Sequence, residues 1–314
     1  MNCPAQAAGL GRPQEDENTY CPDAADSAGY KPAATVPPKP VGLVPRPVPS
    51  DTDPIDPAAL VGPGCLAAFE HLAQTASTMD RAREVAADPG STLPYAVVAD
   101  RQLQGRGRRS AAWWQPPGSL AMSLVVPGGG QAAAGPPPVW SLACGVAVAE
   151  TIRVLEPAVA AQVRWPNDVE VGGRKLAGIL VETAGHGRVI FGIGINTTGS
   201  AAVAPAAIAG RVATLPDLTG RPLGRQRLLA ELLPRLFAIL ADVACEAALL
   251  ADRYRPLCCL TGRRVRLHVA DRVHEGTCDG IAPDGRLVID TPAGRMQFVS
   301  GSLTPPAEVW RGEA

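Results

Sequence analysis

The chain has no excess of either charge. Its 29 Lys and Arg nearly balance 30 Asp and Glu, for a formal net charge of −1. That argues against a general polyanion-binding surface, so any basic patch has to be local. Metal-type cysteine spacing is missing too. The eight cysteines, at 3, 21, 65, 144, 245, 258, 259 and 278, form no CxxC, and no histidine stands at ligand spacing to a pair of them. Neither a zinc site nor a disulfide framework is expected, and the thiols fit a reducing cytoplasm. The first residues, MNCPAQAAGLGRPQEDENTY, lack the basic start and apolar run of a signal peptide. No apolar run is read as reaching the roughly 18 residues of a membrane span. What the chain does have is apolar residue, 46% of 314, enough for a large domain plus a smaller one.

Three regions follow from texture. Residues 1–62 are rich in Pro, Ala, Gly and Asp, as in KPAATVPPKPVGLVPRPVPSDTDPIDP. Proline removes backbone donors and blocks helices, and few large apolar side chains are present to offset ordering entropy. A disordered or polyproline-like tail is expected. Residues 63–257 mix helical and strand periods. The pattern predicts a capped helix over 77–88 and a long apolar helix over 139–157. It predicts strands over 94–100, 120–127, 162–165, 169–171, 175–184 and 188–198. A helix over 225–254 follows, with a kink at Pro234. Turn signals at Gly172-Gly173 and Gly185-His186-Gly187 imply hairpins, hence an α+β domain around an antiparallel or mixed sheet. Residues 258–314 alternate apolar and polar, with Asp-Gly pairs at 279–280 and 284–285. Short strands with tight turns predict an all-β barrel of about 45 residues, the size of an SH3-like fold.

Three stretches carry chemistry. LQGRGRRSAAWW (103–114) sets Arg106 between Gly105 and Gly107, with Arg108 and Arg109 directly after, just past a predicted strand. Glycine lets backbone approach a ligand, and guanidiniums grip carboxylate or phosphate with paired hydrogen bonds. Trp113 and Trp114 are placed to cover or stack on what is gripped. No Lys-Ser/Thr follows, so the loop is not a Walker A motif. VRWPNDVEVGGRKLAGILVE (163–182) brings Asp168 and Lys175 to a strand start. There the ammonium is a point charge for an anion, and Asp168 either orients it or holds a metal ion. FGIGINTT (191–198) has two glycines within a strand, a mark of close packing against the backbone, and ends at Asn196.

Taken in order, STM, Q-x-x-GRGRR, RWPND, RKLAGILVE and GIGIN, followed by a small β-barrel, closely resemble the biotin protein ligase family over about residues 66–305. The resemblance implies the catalytic domain shared with lipoyl ligases and an SH3-like C-terminal domain. It implies two steps: biotin and MgATP give biotinyl-5′-AMP, and a lysine of a carrier protein then displaces AMP. By the same resemblance, Ser77 and Thr78 meet the biotin ring. Gln102, Arg106, Gly107 and Arg108 form a loop folding over biotin and phosphate. Lys175 stands beside the reacting carboxylate, Trp113 and Asn196 near adenine, and Asp168 on the metal side. The implied acceptor is the biotin carboxyl carrier domain of acetyl-CoA carboxylase, in the cytoplasm, with neither DNA nor membrane as a partner. No helix-turn-helix precedes the catalytic region, so no repressor role is expected. Met79 departs from the Asn that many relatives carry after Ser-Thr, which removes one polar contact to the ring. Ser110, Ala111 and Ala112 replace the glycine and basic residues that often follow GRGRR. The rival readings are a lipoate or octanoate ligase of the same superfamily and a nucleic-acid-binding protein using the basic, aromatic loop.

Overall fold

Residues 53–62, 64–128 and 138–304 are described in the computed structural model of the chain. The expected tail up to residue 52 lies outside them.

A seven-stranded mixed sheet organises the larger part, in the order β1-β2-β3-β7-β6-β5-β4. Its strands are β1 (Ala68–Thr75), β2 (Tyr95–Gln102), β3 (Leu120–Pro127), β4 (Gln162–Arg164), β5 (Asp168–Val171), β6 (Arg174–Ala184) and β7 (Arg188–Ile195). Only β1 and β2 run parallel, joined through α1 (Thr78–Ala87); the other neighbours are antiparallel. Side chains alternate across each strand, so each face gets its own cover. On one face, Met79, Ala82, Val85 and Ala86 of α1 pack with Val125 and Ile190. On the other, Leu124, Val189 and Phe191 join the main core with α2 (Pro138–Leu155) and α4 (Arg225–Cys245).

Helix α2 corrects the expectation about apolar runs. It is 18 residues long and apolar enough to cross a bilayer. Here Leu142, Val146, Ala149 and Ile152 are fully buried, with α4 and β6 as neighbours. A helix apolar on most sides suits a core of this kind. The expected 225–254 helix is two helices. α4 runs through Pro234, whose ring sits on the exposed side, and the break comes where Glu246 extends (φ −150°) before α5 (Leu249–Tyr254).

The smaller sheet is wholly antiparallel, in the order β11-β10-β9-β8-β12. Its strands are β8 (Arg264–Val269), β9 (Arg272–Ile281), β10 (Leu287–Thr291), β11 (Gly294–Phe298) and β12 (Ser302–Thr304). Asp284-Gly285 is the expected turn. Asp279-Gly280 is not: it lies inside β9, where Gly280 (φ +87°) accompanies a register shift against β10. The two sheets are joined directly. Trp165 Nε1 donates to Gly285 O at 3.1 Å, and Arg164 donates to Leu303 O at 2.9 Å.

The tail boundary at residue 62 also needs correction. Ile55 and Leu60 are buried in the main core, and Asp53 accepts from the backbone and side chain of Arg225. Arg225 is almost fully buried and also donates to Asp100 at 2.6 Å, so two carboxylates hold one buried guanidinium. The apolar periodicity missed this strap because only two core residues stand among prolines and aspartates. A chain starting at residue 61 should be less stable than one starting at 53 by on the order of 3 kcal/mol, the value of burying two aliphatic side chains. Urea midpoints of the two chains check this; equal midpoints would mean the strap contributes nothing.

Candidate active site

A cleft of about 440 Å³ opens on the α1 face of the large sheet. That volume is within the range of small-molecule sites. Its floor is made by glycine. Gly178 of β6 and Gly194 of β7 are direct cross-strand partners, as are Leu180 and Gly192. The indole of Trp113 lies over this pair, and a Cβ on Gly178 would come within 2.9 Å of the ring. The two strand glycines thus exist to let an aromatic ring lie flat on backbone. Met79 treats Gly192 the same way, its Sδ 2.8 Å from where a Cβ would stand. Where a polar side chain was possible, this chain puts an apolar wall.

At one end, α1 points its N-terminus into the cleft. Ser77 is the N-cap residue but makes no capping bond with its own side chain. Gln102 supplies the acceptor instead: its Oε1 receives Thr78 N at 2.9 Å, Thr78 Oγ1 at 3.2 Å and Ser77 Oγ at 3.4 Å. Ser123 Oγ donates to Thr78 Oγ1 at 2.8 Å. The result is a fixed nook of hydroxyls beside Met79 and Met122. Such a nook suits the polar edge of an otherwise apolar ring.

The other end is cationic. Lys175 Nζ stands 2.5 Å from Asp168 Oδ1 without the alignment of a hydrogen bond, and 5.5 Å from the centre of the Trp113 ring. The two side chains form an ion pair. No group of three potential metal-ligating His, Cys, Asp or Glu residues occurs among the described residues. A single carboxylate does not make a protein-held metal site.

The 103–114 loop lines the cleft through residues 106–109 and 111–113. It is an ordered hairpin-like turn, with Arg106 bridged to Ala112 and Trp113 N donating to Gly105 O at 2.8 Å. Arg109 takes a left-handed conformation (φ +53°), rare for a side chain of this size. Each arginine has a different anchor. Arg106 pairs with both oxygens of Asp80 on α1, at 2.7 and 3.0 Å. Arg108 donates to Asn167 Oδ1 at 3.1 Å. Arg109 donates to Ser302 Oγ of β12 at 2.7 Å. Burial and the neighbouring Arg109 charge lower the pKa of Arg108, opposed by Asp168. Its guanidinium stays protonated, so it is a charge awaiting an anion.

Of the residues singled out in the sequence, Ser77, Thr78, Gln102, Arg106, Gly107, Arg108, Trp113, Asp168 and Lys175 all line this cleft. Asn196 does not. It is buried below the wall, where Nδ2 donates to Ala213 O at 2.9 Å. Trp114 is outside the wall as well. Asn167, Gly301, Ser302 and Arg211 line the cleft without having been assigned a role. Asn167 stood within a recognised motif. Ser302 belongs to the other sheet, and Arg211 lies in an alanine-rich connection, so neither carried a local signal.

The biotin/lipoate A/B protein ligase family matches residues 72–199, and the biotin protein ligase C-terminal domain matches residues 260–302. The biotin–[acetyl-CoA-carboxylase] ligase of Paracoccus denitrificans is 31% identical over 77% of this chain and 99% of its own length. The Mycobacterium tuberculosis protein of the same name is 31% identical over 73% of this chain and 85% of its own. A solved Aquifex aeolicus biotin protein ligase, in complex with biotin and ATP, superposes with a TM-score of 0.66 at 26% identity, covering 75% of this chain and 97% of that one. With a glycine-floored cleft, an arginine lid and relatives matched over nearly their whole length, the chain belongs to the biotin protein ligase family.

Proposed function

We propose that the protein activates biotin with MgATP and transfers it to a lysine of the biotin carboxyl carrier domain of acetyl-CoA carboxylase in the cytoplasm. One observation carries this reading. The hydroxyl nook at Ser77, Thr78 and Gln102, the cations Arg108 and Lys175, and the Trp113 ring share a single cleft beneath one loop.

In the first step, a biotin carboxylate oxygen bonds to the α-phosphorus of ATP, and the bond to pyrophosphate breaks. In the second, the acceptor amine attacks the carbonyl carbon, AMP leaves, and the amine loses a proton. No side-chain nucleophile is required. Carboxylate and triphosphate repel, and fixed cations remove that penalty while stabilising charge that develops at phosphorus. Lys175 is positioned for this by Asp168, and Arg108 by Asn167. Holding two reactants in line supplies about 7–11 kcal/mol in favourable cases. The lid keeps water from the mixed anhydride. Magnesium travels with ATP, with Asp168 as the nearby carboxylate.

Mixing the protein with MgATP and biotin, lipoate or octanoate in separate reactions tests the assignment. Mass spectrometry should find biotinyl-AMP and no other acyl-adenylate. Lipoyl- or octanoyl-AMP in its place would assign the protein to the lipoate branch.

A further inference from the structure

Among the cations around the cleft, all but one have a partner. Arg106 is held by Asp80, Arg108 by Asn167, Arg109 by Ser302 and Lys175 by Asp168. Arg211 lines the same cleft, is exposed, and has no ion pair or side-chain hydrogen bond among the described residues. It lies outside the segments matched by the family, between residue 199 and residue 260.

Its backbone, in contrast, is firmly placed. Val212 pairs with Lys175 in an isolated parallel bridge, and Ala213 N donates to Lys175 O at 2.8 Å. Asn196 fixes the same segment from below, through Nδ2 to Ala213 O, while Leu215 N donates to Asn196 O at 2.9 Å. Arg211 closes the 3₁₀ turn Ala209–Arg211, its N donating to Ile208 O at 2.8 Å, and Val212 opens the extended backbone that follows. Val212 turns into the core, and Arg211 turns to the cleft. The segment therefore delivers a rigidly based, unpartnered guanidinium next to the strand that carries Lys175. This is also what Asn196 does here: it positions the Arg211 segment from beneath the wall.

We propose that Arg211 binds the β- and γ-phosphates of ATP, and hence the leaving pyrophosphate. The inference rests on the adenylation reading above. Its logic is one of charge and place. The lysine and Arg108 serve the carboxylate and the α-phosphate, where the bond forms. Two further phosphates need a cation of their own, and Arg211 is the cleft-lining cation whose side-chain donors are free among the described residues. A guanidinium presents paired donors that match phosphate oxygens. Because the pyrophosphate carries those phosphates away, the contact acts on ATP and pyrophosphate but not on AMP or the biotin ring.

The test uses the full chain with Arg211→Ala and Arg211→Lys. Charged hydrogen bonds of this kind correspond to roughly tenfold or more in affinity. In Arg211→Ala, the KM for ATP and the inhibition constant of pyrophosphate should both rise roughly tenfold by that measure. The KM for biotin and inhibition by AMP should stay within about twofold, and Arg211→Lys should recover part of the loss by keeping the charge. Calorimetric titration with MgATP and with AMP gives the same comparison without turnover. Unchanged MgATP affinity in Arg211→Ala would overturn the proposal. So would equal losses for ATP, AMP and biotin, which would mean that Arg211 only shapes the connection. Failure of the unaltered protein to adenylate biotin would instead overturn the assigned reaction, leaving the MgATP titration as the judge of Arg211.

Discussion

Arg108→Gly is expected to turn a ligase that keeps its intermediate into one that loses it. Biotinyl-AMP should escape into solution and label the lysines of bystander proteins. The reason is how the lid is built. Arg108 is the part of the loop that reaches down, donating to Asn167 at the cationic end of the cleft. Its charge is disfavoured there by burial and by Arg109, and a bound phosphate relieves that strain. Closure and adenylate binding therefore support each other. Removing the guanidinium forfeits a charge-assisted contact equivalent to roughly 10–100-fold in affinity. Most such differences appear in the off-rate. Glycine also widens the conformations open to the free loop, which favours opening. Arg106 and Arg109 keep their own anchors on Asp80 and Ser302, so the fold should survive. Labelling of albumin in the presence of biotin and MgATP, with the adenylate off-rate measured alongside, decides the matter. Equal labelling by both forms and an unchanged off-rate would reduce the loop to a basic surface turn.

Lys175→Ala should be slower at forming the adenylate by about 10²–10³-fold, the cost typical of losing one preorganised electrostatic contact in a reaction of developing charge. Here the deletion also does harm by what it leaves. Asp168 would face the cleft without its cation and repel both the carboxylate and the phosphates. The Asp168→Asn change on the same background should therefore recover part of the rate. Lys175 is about a third exposed on its side chain, and its backbone carbonyl still receives Ala213 N, so the fold has no large dependence on it. Single-turnover formation of biotinyl-AMP by folded variant protein is the measurement. A normal rate would leave Lys175 as a strand-end partner for Asp168 and nothing more.

Periodicity located most elements because most bury one face. The strand at 120–127 was legible to the residue as a nearly continuous apolar run, which suits a strand covered on both faces. β1 was not read, since AFEHLAQT at the sheet edge mixes polar and apolar positions without a clear period. Proline at 234 does not end the helix: Leu232, Leu233 and Leu236 around it are buried, and α4 continues to Cys245. The cleft was legible as far as its residues lie in contiguous motifs. Ser77, Gln102, Arg108 and Lys175 all do. Asn196 was read by its place in a motif; its Nδ2 is held by the carbonyl of Ala213, while its buried Oδ1 has no partner among the described residues. Ser302 and Arg211 were invisible for a different reason: each reaches the cleft through long-range packing.

The contact between Arg109 and Ser302 spans 193 positions of sequence. It ties the arginine loop of the large sheet to the small sheet. A recombination event at the junction near residues 258–262 could exchange the small sheet for another of identical topology and leave every adenylation motif intact. The lid would then rest on whatever side chain the newcomer carries at position 302. One of the loop's three arginine anchors would thus travel with the C-terminal segment, while Arg106 and Arg108 keep theirs on Asp80 and Asn167.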